Sequence, residues 1–447
     1  MLNEWDSVPL NQLIVPGRGI SYGIVQPGSF VAGGIPIVRV NDVRNGRIST
    51  SSPMRVSPQI EAAYSRTRLQ GGELLLTLVG TVGETAVVPD SLRGWNTARA
   101  VGVIPVRNDI GAHWVQLVLQ SAAVRDLIES RLNTTVQATL NLGDVAQLPI
   151  VLPPTQEREK IVHILGTLEK KIELNRLINQ TLEAIVKALF KSWFVDFDPV
   201  RAKAEGRNLN LPEHLADLFE DSFEQSELGE IPSGWKVKTI ESIAERVGMG
   251  PFGSSIKVET FVAEGIPVIS GQHLHGFMME DNKFNFVALK HAERLKSANV
   301  RRGDVVFTHA GNIGQAAYIP ESSRYDRYVL SQRQFFMRGD LSQVTPSFVA
   351  LYFNSPEGQH RLLANASSSG VPSIARPVTY LRSIRLTIPP KPIMDAFENL
   401  VQPLLTQFRR NLNEASTLIA LRDTLLPKLI SGELRVKNAE RTIREYD

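Results

Sequence analysis

The residues of this 447-residue chain best suited to chemistry are side-chain hydrogen-bond donors on loops. Gln272, His273 and His275 follow the strand-like run Gly265-Ile266-Pro267-Val268-Ile269. Arg39, Asn41 and Arg44 occupy the matching region after Gly34-Ile35-Pro36-Ile37, with Arg39 aligned to Ser270. Arg and Lys read guanine edges, Asn and Gln read adenine edges, and Ser or Thr contacts either a base or a phosphate. Further residues of these types sit in Gly- and hydroxyl-rich segments: Thr81, Thr135, Gln137, Ser254, Lys257, His309, Asn312 and Ser369. Together they suit the reading of double-stranded DNA. Any one of them alone is equally well an ordinary solvated loop residue.

Other chemistry finds less support. Gly248-Met249-Gly250-Pro251-Phe252-Gly253 fits the G-x-G-x-x-G pattern. A dinucleotide site needs that loop between a strand and a helix, whereas here a proline lies inside it and the β-prone Ile256-Lys257-Val258 follows. His273 and His275 alternate as a metal pair would, but no further ligand is evident. Asp196 and Asp198 alternate in the same way and read better as turn and cap residues. There is no phosphate-binding Gly-Lys-Ser or Gly-Lys-Thr loop, no Gly-x-Ser-x-Gly elbow, no His-Glu-x-x-His pair and no aminomethyltransferase tetrad. With no cysteine, disulfides and thiolate metal sites are excluded. The expectation is a chain that is not itself an enzyme and has no cofactor or metal of its own.

Two elements must position these loops, and each occurs twice. Between Thr155 and Trp193 the apolar residues Ile161, Leu165, Leu168, Ile172, Leu182, Val186, Leu189 and Trp193 step by three and four, with Asn175 and Asn179 in the middle of the seam. This is the pattern of a coiled-coil helix. Adding 236 to each number returns it as Phe397, Val401, Leu404, Phe408, Asn411, Leu418 and Leu425. Asn175 falls on Asn411 and Leu182 on Leu418, which predicts two helices paired in one register.

The segments before the helices repeat too. Gly-Ile-Pro at 34–36 returns at 265–267, an offset of 231. Thr77-Leu78-Val79-Gly80-Thr81-Val82-Gly83 returns as Thr308-His309-Ala310-Gly311-Asn312-Ile313-Gly314. Both copies read as short strands broken by glycines. The first also has a helical patch over 113–132 and ends at Pro153-Pro154, which stop a strand and open a helix. The fold class expected is α+β: two tandem domains at 1–153 and 231–390, helices at 154–195 and 391–447, and a linker at 196–230 holding a short helix from Glu213 to Phe219. The framework is shared but the loops differ, which suggests two related surfaces binding different things.

The apolar share of 43% supplies ordinary cores, and the net charge of +3 permits nucleic-acid binding without demanding it. MLNEWDSVPL lacks the pattern of a signal peptide, and no apolar run reaches the ~18 residues of a membrane helix. A soluble cytoplasmic protein is expected, with no membrane partner.

Three segments carry a family resemblance: Leu189 to Gly206 (LFKSWFVDFDPVRAKAEG), Glu227 to Trp235 (ELGEIPSGW) and Leu426 to Leu434 (LPKLISGEL). With Gly250-Pro251-Phe252-Gly253-Ser254 and Gly265-Ile266-Pro267-Val268-Ile269, they resemble the specificity subunits of type I restriction–modification systems, over essentially the whole chain. The first half lacks the Gly-Pro-Phe-Gly-Ser loop. The resemblance implies two target-recognition domains, each reading one half of a split target in double-stranded DNA. It also implies an antiparallel coiled coil that spaces them; about 36 helical residues span roughly 54 Å, more than one ~34 Å turn of DNA. The partners implied are two methyltransferase subunits, which bind S-adenosylmethionine, and restriction subunits, which use ATP and Mg2+. The other reading is a non-catalytic coiled-coil scaffold with two β-rich protein-binding domains.

Overall fold

The computed structural model describes residues 5–133, 137–253, 255–281, 283–367 and 370–439. Two compact units emerge. One comprises Met1–Leu177 with Asn411–Asp447, the other Ile178–Arg410. Each long helix therefore contributes to both: Thr155–Phe194, the central helix, and Lys391–Ser431, the C-terminal helix.

In the first unit a four-stranded antiparallel sheet runs in the order Ser21–Tyr22, Val101–Ile104, Leu74–Thr77, Thr85–Val87. Leu74–Thr77 and Val101–Ile104 are buried at every position, because both faces of this sheet are covered. A second sheet pairs Ile35–Val38 with Met54–Val56 antiparallel and with Asn96–Thr97 parallel. The helical patch is two helices, Ala112–Gln120 and Ala122–Ser130, broken where Ser121 is extended. Ser7–Pro9 pairs with Pro149–Val151 and closes the domain, and Trp114 Nε1 donates to the Val151 carbonyl at 2.8 Å.

The central helix starts where Pro153-Pro154 end that strand. Ile161, Ile164, Leu165 and Leu168 enter one core with Leu421, Leu425, Leu429 and Ile430 of the C-terminal helix. Glu157 pairs with Arg435 at 3.4 Å, Glu169 with Arg422 at 2.5 Å, and Asn175 Nδ2 donates to Glu414 at 2.9 Å. Numbers rise along one helix as they fall along the other, so the pair is antiparallel.

The second unit repeats this topology. Its four-stranded sheet is Ala244–Met249, Gln334–Gly339, Asp304–Thr308, Ala316–Tyr318. Ile266–Ile269 pairs parallel with Arg327–Leu330, as Ile35–Val38 does with Asn96–Thr97. Lys236–Thr239 with Arg385–Ile388 closes this domain. The helix pair buries an aromatic knot: Phe397 lies 5.9 Å from Phe190, 5.8 Å from Trp193 and 5.1 Å from Phe194, ring centre to ring centre. Asn179 Nδ2 donates to the Phe408 carbonyl at 2.9 Å, again an antiparallel contact. Within the sheet Asp304, fully buried, takes Arg338 of the neighbouring strand at 2.7 and 2.8 Å. Burial pushes the Asp304 carboxyl above its ordinary range, and the Arg338 fork opposes that push.

Of the expected seam residues, Leu165, Leu168, Asn175, Val401 and Asn411 are buried; Ile172, Leu182, Leu404, Phe408 and Leu418 are partly so. The segment expected as a linker is folded. Helices Asp198–Ala204 and Glu213–Ala216 and the hairpin Phe223–Ser226/Gly229–Pro232 send Val200, Phe219 and Ile231 into the second unit's core. Asp198 opens a helix, and the Asp196 carboxylate pairs with Lys191.

Candidate nucleic-acid interface

In the second unit five loops are tied together at one end of the four-stranded sheet. Gly250 N donates to Gln334 O at 2.8 Å, and a Cβ on Gly250 would lie 1.9 Å from the Ser331 carbonyl oxygen. Only glycine lets the Gly-Pro-Phe-Gly loop come this close. Gln332 Nε2 donates to Ile256 O at 3.1 Å. Gln315 Nε2 donates to Gly271 O and Leu274 O at 2.9 and 3.0 Å, which ties the loop of Gln272 to the loop after Thr308. Gly311 N donates to Pro372 O at 2.9 Å, bringing in the hairpin Ala366–Ser367/Ser373–Ile374.

Of the residues expected here, Lys257, Gln272, His275 and Asn312 are exposed. Lys257 caps a 3-10 turn, Val258–Thr260, rather than a strand. His309 is half-buried with Nε2 3.1 Å from Gln332 O, and burial holds its pKa down. His273 needs correcting as a base-reading residue. It is fully buried, its ring is stacked on Phe284 at 4.4 Å, and its nitrogens face Ser270 and Lys283 backbone. Burial pushes its pKa down, and its contacts shape the loop that presents Gln272 and His275. Ser254 and Ser369, like Thr135 in the first unit, lie outside the described residues.

The first unit has a matching end with different side chains. Gly80 N donates to Ala138 O at 2.9 Å, and Leu78 N to Ala100 O at 2.8 Å. Thr81 and Gln137 are exposed beside this turn. Arg39 is not a free fork: it bonds Asp42 at 3.1 and 3.2 Å and the Ser52 carbonyl at 3.3 Å, and Asp42 raises its pKa. Asn41 and Arg44 are exposed. Arg44 belongs to the hairpin Val43–Arg44/Arg47–Ile48. Asn45 N fixes that hairpin to Glu84 at 2.9 Å, and Arg47 pairs with Glu173 of the central helix. Glu173 also takes Arg176 through two bonds of 2.7 Å, and these guanidinium groups, Arg176 foremost, hold its carboxyl at about 2.

Arg333 and the aromatic Phe252, 78% exposed, belong to this surface and were not anticipated. For Arg333 the signal was present: Ser331-Gln332-Arg333-Gln334 is a polar break between two apolar strands. Among the described residues no group of three or more acidic or His side chains is placed to hold a metal, and no helix is long and apolar enough to cross a membrane.

The class defined here is a duplicated α+β protein, with matching loop clusters on a repeated scaffold and paired helices completing each core. Comparison with known proteins shows what the chain is similar to. The model for the type I restriction modification DNA specificity domain matches residues 31–184. The HindI type I restriction enzyme specificity subunit of Haemophilus influenzae is 26% identical over 348 residues, covering 69% of this chain and 73% of that one. The MjaIX specificity subunit of Methanocaldococcus jannaschii is 25% identical over 384 residues, covering 82% and 78%. The crystal structure of a type I system S subunit from M. genitalium shares the fold, with a TM-score of 0.55 over 96% of both chains at 14% identity. The chain is similar to the specificity subunits of type I restriction–modification systems, and residues 31–184 match their DNA specificity domain.

Proposed function

We propose that this chain reads a bipartite, non-palindromic target in double-stranded DNA, one half with each recognition domain. It is the non-catalytic, cytoplasmic member of its assembly. It brings to the site two methyltransferase subunits, which bind S-adenosylmethionine, and restriction subunits, which use ATP and Mg2+. The observation that carries the reading is the pairing of a conserved scaffold with divergent loops. The turn 77–83 and the turn 308–314 are held by equivalent backbone bonds, yet they are flanked by different exposed side chains. One scaffold with two sets of donors reads two different half-sites.

Domain exchange tests this. Residues 197–390 are the unit to exchange, because the hairpin Phe223–Ser226/Gly229–Pro232 packs with the second core. Replacing them with the equivalent part of another such subunit changes one half of the methylated sequence and leaves the other intact, read by long-read mapping of adenine methylation. A change in both halves, or in neither, overturns the reading. Failure of the purified assembly to retain any specific duplex at a fixed salt concentration favours a protein-binding scaffold instead.

A further inference from the structure

Gly80 and Gly311 occupy the same place in the repeat, with φ of +80° and +85°. Each donates its N–H to the hairpin opposite, to Ala138 O and Pro372 O respectively. Two positions before each, the backbone N–H of Leu78 or His309 donates to Ala100 O or Arg333 O. These bonds pair Ala100 with Arg333, and Gln137 with Val371, as equivalent flanking positions. The first unit puts its polar side chain on the hairpin, at Gln137, opposite alanine. The second puts its polar side chain on the strand connection, at Arg333, opposite Val371.

In both units the polar group lies over the glycine. A Cβ on Gly80 would sit 3.5 Å from Gln137 Nε2, and one on Gly311 would sit 3.1 Å from Arg333 Nη1. Each side chain thus rests on a pedestal with no side chain of its own. Both Gln137 and Arg333 are exposed, and neither side chain has a hydrogen-bond or ion-pair partner among the described residues. Their backbones are pinned. Arg333 is held by His309 N at 2.9 Å, and the neighbouring Gln332 by Ile256 and His309. Gln137 O accepts from Thr139 Oγ1 at 3.0 Å, and Ala138 O accepts from Gly80. A donor exposed on a pinned backbone is placed to meet a ligand edge.

We infer that Arg333 and Gln137 are specificity-determining residues: Arg333 reads a guanine in the half-site of the second domain, and Gln137 an adenine in that of the first. The assignment follows the donor geometry, since the arginine fork matches guanine O6 and N7 and the glutamine amide matches adenine N6 and N7. It rests on the proposed reading of a split DNA target.

The experiment selects duplexes from a randomised-sequence library with the assembled methyltransferase complex, at one fixed salt concentration, and sequences those bound. Arg333→Gln lowers the preference for guanine at one position of one half-site by about tenfold to a hundredfold, and leaves the other half-site unchanged. Gln137→Ala does the same to one adenine in the other half-site. Arg333→Lys, which keeps the charge and loses the fork, lowers the preference for guanine at the same position. Both residues are exposed, and an unchanged melting profile of each variant excludes loss of fold as the cause. Uniformly weaker binding with unaltered base preferences marks a phosphate contact and overturns the inference, as does no change at all. If the parent complex selects no sequence, the split-target reading itself fails.

Discussion

Leu168 and Leu174 lie on one helix and differ chiefly in burial, which makes them a matched pair. Leu168 is 6% exposed, in a core shared with Leu421 and Leu425 of the facing helix; Leu174 is 51% exposed. Leu168→Asp removes about 2 kcal/mol of apolar burial and adds several kcal/mol for an uncompensated buried carboxylate. The total is about 5 kcal/mol or more, a large share of the ~5–15 kcal/mol that holds a domain folded. For a unit of this size each kcal/mol moves the melting temperature by about 2–4 °C, so the first unit should melt about 10–20 °C lower. Leu174→Asp stays within about 0.5 kcal/mol. Calorimetry of the full-length chain reads both. The buried carboxyl of Leu168→Asp has its pKa raised in the folded state. That state then binds the proton more tightly than the unfolded chain does, and stability returns as pH falls. The deficit is therefore smaller at pH 5 than at pH 8. Equal melting of the two variants, or a Leu168→Asp chain melting within about 2 °C of the parent, refutes helix pairing as the source of the first unit's core.

The Glu173 carboxylate, held at about 2 by Arg176 and Arg47, contributes stability that is present above its ordinary value of 4.5 and lost as pH falls toward 2. Glu173→Gln should remove about 1–2 kcal/mol at pH 7 and flatten the acid limb of the stability curve; an unchanged limb means the ion pairs are idle. Arg338→Met strands the buried Asp304 and should cost about 3–5 kcal/mol. Adding Asp304→Asn recovers much of that loss, and thermal unfolding of the single and double variants checks it.

The sequence carried the backbone well and the surface poorly. The duplication was legible because Gly-Ile-Pro and the Thr-x-x-Gly-x-x-Gly turns impose backbone geometry, and geometry survives when side chains drift. The helix pair was legible from the spacing of Leu165, Leu168, Ile172 and Val401. The split of 113–132 was not, because Ser121 is tolerated inside a helix and only its extended backbone reveals the break. Beyond the short helix expected from Glu213, the packing of 196–230 and the adjoining Ile231 was not legible, because Val200, Phe219 and Ile231 lie too far apart to form a periodic face. His273 looked like its neighbours Gln272 and His275; burial against Phe284 separates it from them, and burial is decided by residues distant in sequence. Arg333 was hidden for the opposite reason. It stands over Gly311, a relation that no spacing along the chain expresses.

Because the first core draws Leu421, Leu425, Leu429, Val436 and Ala439 from beyond the second domain, it stays open on the ribosome until that whole domain has been made. A premature stop anywhere in the second domain would leave the first domain unfinished as well. Such a product would be cleared as misfolded rather than linger as a chain with a single finished domain.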